Sequence, residues 1–182
     1  MRQPEFTTWS DLTANNIDFT LDNGAAFGTS SGISYVEFDG TDDEASTALN
    51  NVLATGTNDF TYSGWLNIDS AGGTYFDTRS HNSGGTGYNG ISPYFVTVNG
   101  AIKLRIWDGV GNTLRYTSAL DFSTSTWYHV AVKRASTTYT VYINGIANGS
   151  TWSNSNDYSG RQIHLGSNHH NAGRVDGKIG SF

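Results

Sequence analysis

Residues 126–150 read TWYHVAVKRASTTYTVYINGIANGS. Trp127, His129 and Ala131 fall on one side of an alternating pattern, and Tyr128, Val130 and Val132 on the other. Both sides are largely apolar, as on an interior strand of a sandwich. A second alternating run, 139–143, ends in Asn144-Gly145. That pair favours the primed turns whose twist matches paired strands, so 139–150 reads as a hairpin. His129 then reads as a packed strand residue rather than a base. No Ser or Cys in a recognisable nucleophile motif accompanies it.

The same period runs outward from this stretch. Strands are expected at 33–38, 60–68, 74–79, 93–98, 101–107, 113–118, 127–134, 139–143 and 162–166, with a shorter one through 17–21. Asn99-Gly100 closes 93–107 into another hairpin, and Asp108-Gly109 and Gly111-Asn112 are further turn signals. Residues 48–56 hold at most a short helical turn. The segment 78–92, TRSHNSGGTGYNGIS, is too polar and Gly-rich for core and reads as a long loop of the kind that carries function. Many short strands with regular turns make the chain all-β, a sandwich or barrel, in one domain over 1–182.

Composition agrees. The 182 residues include 22 Gly, 2 Pro and no Cys, with 13% aromatics and 14% charged residues. The aromatic content is too high for disorder. Net charge is −6, and no basic patch points to nucleic acid. No apolar run is long enough for membrane insertion. The first twelve residues lack the apolar segment of a secretory signal. Without Cys there is no disulfide framework or thiolate metal site.

In order along the chain stand WSDLTANNIDFTLDNGAAF, YVEFDGTDDEAS, DFTYSGWLNID, TWYHVAVKR with YTVYINGIANGS, IHLGSN and VDGKIGSF. This series resembles the laminin-G-like domains of the concanavalin A-like lectin/glucanase superfamily. The resemblance implies a jelly-roll β-sandwich of two antiparallel sheets. It also implies a continuing final strand, whereas this chain stops at Ser181-Phe182; the last strand is expected to be truncated, extended in a longer parent, or completed by a neighbour.

The superfamily includes glycoside hydrolases, which need two carboxyls flanking the scissile bond. The three Glu, Glu5, Glu37 and Glu44, lie in no Glu-x-Asp-x-x-Glu arrangement, so a glycoside hydrolase is the least favoured reading and no catalytic residue is assigned. Glu37, Asp39, Asp42, Asp43 and Glu44 cluster at one strand-to-loop corner. Calcium takes several oxygens from such loops, and related domains bind it at a sandwich edge. Asp39, Asp42 and Asp43 are the candidate ligands, with Asp176 further off. The alternative is a tight turn whose carboxylates cap backbone amides.

Ligand-binding candidates fall in two places. His169 and His170 stand in GSNHHNAGR, either a polar loop or a ligand-facing rim; adjacent side chains of an extended segment point apart, so the pair is not expected to chelate one ion. In AIKLRIW, Ile102, Leu104 and Ile106 should face the core and Lys103, Arg105 and Trp107 the solvent. With Leu114 and Tyr116 inward, Arg115 joins that outer face. Three cations and a Trp suit an anionic glycan or an acidic protein partner; the alternative is solubilising charge.

The expected function is a non-catalytic, lectin-like recognition module, surface-displayed on a virion (as in a phage) or extracellular. It would bind glycans or protein partners, as a homo-oligomer or in a multicopy particle. The alternative is a purely structural decoration, capsid or fibre protein without ligand.

Overall fold

The computed structural model describes residues 7–79, 90–108, 113–159, 162–170 and 172–181. In chain order the strands are β1 (Thr8–Trp9), β2 (Phe19–Asp22), β3 (Ala26–Ser30), β4 (Ile33–Asp39), β5 (Glu44–Thr47), β6 (Phe60–Ile68), β7 (Phe76–Asp77), β8 (Ile91–Val98), β9 (Ala101–Asp108), β10 (Thr113–Thr117), β11 (Trp127–Ala135), β12 (Thr138–Ile143), β13 (Ile146–Ser153), β14 (His164–Leu165) and β15 (Asp176–Gly180). They form two layers. One is a seven-stranded sheet, β13-β12-β11-β6-β15-β4-β3. The other comprises a five-stranded ladder, β1-β2-β5-β14-β7, and a three-stranded ladder, β10-β9-β8. Bonds from Tyr75 N to Pro93 O (3.0 Å), Thr78 N to Ile91 O (3.0 Å) and Phe95 N to Gly73 O (3.2 Å) carry the second layer across the gap between its ladders. All described strand pairings are antiparallel. This is the sandwich expected from the alternation, in the jelly-roll form that the resemblance implied.

Alternate residues of both layers fill the space between them. Val36, Phe38, Leu66, Val130, Val132 and Ile179 come from one side and Ile91, Phe95, Leu104, Ile106 and Leu165 from the other. Aromatic contacts bridge the layers. Phe122 packs against Phe95 of β8 and Tyr128 of β11, with ring centroids 4.7 Å apart in each case. Asn99 and Gly100 have φ of 50° and 82°, and Asn144 and Gly145 51° and 80°. Positive φ at both positions defines the primed turns that Asn-Gly favours. Arg134, the last cation of the TWYHVAVKR strand, is buried. Its guanidinium donates to the carbonyls of Ser136, Gly56 and Asn156 and lies over Tyr139 and Tyr158. This part of the stretch is scaffold.

Three details differ from the sequence pattern, and a fourth, the short helical turn within 48–56, is present as expected. Between Phe76 and Asp77 the strand expected at 74–79 is only two residues long. The short helical turn is a 3₁₀ turn at Asn51–Leu53, capped by the Asn50 side chain on Val52 N. Leu114 does not face the core: the β9–β10 register shifts between Leu114 and Tyr116, pairing Leu114 with Trp107 and Tyr116 with Ile106. That bulge leaves Leu114 38% exposed and frees Arg115 from the alternation. Finally, β11 is not sealed on both faces. Trp127 and His129 are half-buried on the outer face, where His129 meets Trp65 edge-on at 5.4 Å. The turn signals at Gly109 and Gly111-Asn112, Glu5, and most of the loop 78–92 lie outside the described residues.

Candidate functional site

The site lies on the outer face of the second layer, where β7 meets β8. Asp77 closes β7 and is completely buried. Its carboxylate takes Arg79 Nε at 2.9 and 3.0 Å, Arg79 Nη2 at 2.7 Å and the Arg79 amide at 2.8 Å. It also takes His169 Nδ1 at 2.9 Å and the His169 amide at 3.2 Å. An ionised carboxylate only accepts, so the imidazole proton on that side resides on Nδ1. Burial pushes the Asp77 pKa up, but the bonds from His169 and Arg79 outweigh it and hold it below the ordinary Asp value.

His169 reaches Asp77 because β14 ends in a sharp turn. Gly166 has φ of 75°, and a Cβ there would run into the Phe38 ring. Only Gly fits this turn. The Asn168 side chain then accepts from the amides of His170 (2.9 Å) and Ala172 (3.1 Å), fixing the loop. Residues 169–170 form a turn rather than an extended segment, so the two His side chains do not point apart. Their rings lie 4.0 Å apart.

Beside this network is an aromatic platform. Tyr94 of β8 and Trp107 of β9 share the outer face, stacked with centroids 5.9 Å apart and planes at 20°. Together with Thr74, Arg79, Ser92, Asn168, His169 and His170 they line a cleft of about 280 Å³. Thus Trp107, His169 and His170, singled out from separate parts of the sequence, meet in one place. Asp77, Arg79 and Tyr94 were not singled out. The only signal for Arg79 was its place at the start of the polar loop.

The cations proposed around Trp107 separate. Lys103 bonds to Ala119 O at 2.9 Å and pairs with Asp121. Arg115, released by the bulge, turns to buried Asp108, with Nε 3.6 Å from Oδ2. Arg105 stays on the outer face, directly opposite Tyr94.

At the acidic corner, carboxylate oxygens of Asp39, Asp42 and Asp43 lie within 4.8 Å of one another. Some of this cluster caps backbone: Asp43 Oδ2 accepts from Asp39 N (2.9 Å) and Asp39 Oδ1 from Thr41 N (2.7 Å). Asp43 Oδ1, however, is buried with no hydrogen-bond partner. Burial first, then the charges of Asp39 and Asp42, raise the Asp43 pKa. An orphaned oxygen among three carboxylates fits a hard cation. Asp176 is paired with Asp39 across β15 and β4 and is not in the cluster.

A laminin G-type model of the concanavalin A-like lectin/glucanases superfamily matches residues 39–182. The chain belongs to this family. Among solved structures, domain 4 of an extracellular GH43 arabinanase from Geobacillus stearothermophilus, in complex with arabinotriose, superposes with a TM-score of 0.66 at 18% identity, over 94% of this chain and 83% of that domain. Trypanosoma rangeli sialidase, in complex with the inhibitor DANA, gives 0.66 at 11% identity; it matches 96% of this chain, which spans only 28% of the sialidase. The heptameric pentraxin of Limulus polyphemus gives 0.58 at 15% identity, covering 84% and 76% of the two chains. At these identities the likeness establishes the fold. No curated protein matches by sequence.

Proposed function

We propose that this domain is a non-catalytic glycan-binding module whose site is the cleft between β7, β8, β9 and the loop after β14. The observation that carries the reading is the stacked Tyr94–Trp107 platform set against the buried Asp77–Arg79–His169 network. Flat aromatic faces suit sugar rings, and a few fixed polar groups at the edge orient them. Asp77 supports a positioning role over an acid–base one: held ionised by two donors, it has no proton to give a leaving group. Arabinotriose in the arabinanase domain is consistent with this use of the fold.

The test is binding to a glycan array with the Trp107→Ala variant in parallel. Loss of a central aromatic anchor should weaken binding about 30-fold, while Tm moves by less than about 2 °C. Unchanged binding by Trp107→Ala would remove the cleft from the reading. Calcium at Asp39, Asp42 and Asp43 belongs to the same proposal as a structural ion, since the corner lies across the loop from the cleft.

A second reading, a structural component of a virion or extracellular assembly, is favoured by the outer face of the seven-stranded sheet. Trp65, Trp127 and His129 are only half-buried there, and Ile146 on edge strand β13 is 74% exposed. Such surface invites a protein partner. Light scattering and microscopy of the purified chain decide it: ordered multicopy particles support assembly, and a monodisperse monomer counts against it.

A further inference from the structure

Most cations of the described residues are neutralised within the fold. Arg79 pairs with Asp77, Lys103 with Asp121, Arg115 with Asp108, Arg174 with Glu44, and Lys178 with Asp69 and Glu37. Arg134 is spent on three carbonyls. Lys133 is exposed, where water solvates it. Arg105 differs. It is half-buried, its Nε is sealed from solvent with no hydrogen-bond partner, and no acidic group among the described residues pairs with it.

Its place is fixed by register. Arg105 lies opposite Tyr94 on one side and Thr117 on the other. Trp107 follows two residues later on the same face, about 7 Å along the strand. A permanently charged fork therefore stands beside the aromatic platform, partly desolvated and with donors unused. Arg105 is half-buried as a residue while its Nε is sealed, so an incoming oxyanion would meet the terminal N–H groups of the fork rather than Nε. The chain as a whole is acidic, at −6, so this is a local exception to its field.

We infer that the cleft recognises an acidic sugar: the ring packs on Tyr94 and Trp107, and a carboxylate or sulfate on it bonds to Arg105. This rests on the glycan reading above and narrows it to one ligand class. A space of about 280 Å³ is small for a binding site and suits one sugar unit better than an extended acidic peptide.

The test uses the full chain on an array of uronate-bearing, sulfated and neutral glycans, with polyglutamate as a non-sugar polyanion. Binding should concentrate on the acidic glycans, and the uronate and sulfate arms say which oxyanion is read. Arg105→Gln should weaken acidic-glycan binding tenfold or more, since hydrogen bonds to charged groups are the strong ones. It should change neutral-glycan binding by less than twofold. Arg105→Lys, which keeps the charge and loses the fork, should fall between. Neutral glycans bound as well as acidic ones, with Arg105→Gln silent, would overturn this inference and leave the glycan reading standing. Polyglutamate bound as tightly, and through Arg105, would overturn it in favour of an acidic protein partner. Retention of no glycan at all would overturn both.

Discussion

Asp77 and Asp43 stand at two ends of one loop, residues 166–175. His169, in that loop, bonds to the carboxylate of Asp77, while Arg174, further along, bonds to the backbone carbonyl of Asp43 at 3.1 Å and to Glu44 at 3.0 Å. Both carboxylates are buried, and burial pushes both pKa values up. At Asp77 a guanidinium and an imidazole overcome that push. At Asp43 one backbone amide does not, and two neighbouring carboxylates add to it. Burial alone therefore does not tell what a carboxylate is for. Asp77 is complete within the fold and holds other side chains in place, whereas one oxygen of Asp43, Oδ1, has no hydrogen-bond partner.

The sharpest way to break this contrast is to remove Asp77. Asp77→Leu takes the carboxylate from a buried guanidinium, and losing one partner of such a pair costs about 3–5 kcal/mol. At about 2–4 °C per kcal/mol for a domain of this size, Tm should fall by about 10 °C. Binding in the cleft should vanish with it, because Arg79 and His169 lose their common anchor. A Tm within 2 °C of wild type would show that the network is not structural. The acid limb follows from the same carboxylate. Its folded pKa is depressed, so its contribution is present at neutral pH and is lost as pH falls below about 4, through the folded value.

Asp43 should behave the other way. Its folded pKa is raised, so ionising it weakens the fold: without calcium, its contribution worsens as pH rises from below the ordinary Asp value through the folded pKa. Asp43→Asn keeps an acceptor for the Asp39 amide and removes the charge, so in chelator it should raise the urea midpoint of unfolding. Calcium at a hundred times its Kd should stabilise the wild type by about 2.7 kcal/mol and leave Asp43→Asn nearly unmoved. A wild type indifferent to millimolar calcium would return the corner to the capped-turn alternative.

The contrast also marks what the sequence could disclose. The layers were legible because Asn-Gly pairs and period-2 runs are local signals: β6 is Phe60–Ile68, as its alternation predicts. β5, Glu-Ala-Ser-Thr, carries no such signal, since its strand character comes only from β2 and β14 on either side. The acidic corner was legible because its three Asp are close in sequence. The cleft was only half so. Trp107 stood out by alternation and His169 and His170 by composition, but Asp77 and His169 are 92 positions apart and no periodicity links them. Arg115 was misplaced on the outer face by a bulge that alternation cannot foresee. Arg105 could not be told from Lys103 until each cation's partner was known.

The smallest effect probes the network from behind. His164 of β14 lies directly opposite Asp77 of β7 and is buried. Burial lowers its pKa more than Asp77 and Glu44 raise it, with His169 and Arg174 adding to the decrease. The folded state therefore holds a neutral imidazole that the unfolded chain would protonate. Below the unfolded value of about 6.5 the unfolded state binds more protons, so stability declines as pH falls from 7 towards 5. His164→Gln should flatten the pH dependence of urea midpoints in that window. Asp77, already ionised throughout it, contributes no slope there. A wild-type midpoint that stayed level from pH 7 to 5 would mean that Asp77 and Glu44, not burial, set the charge of His164, and the network would then hold a second cation behind its carboxylate.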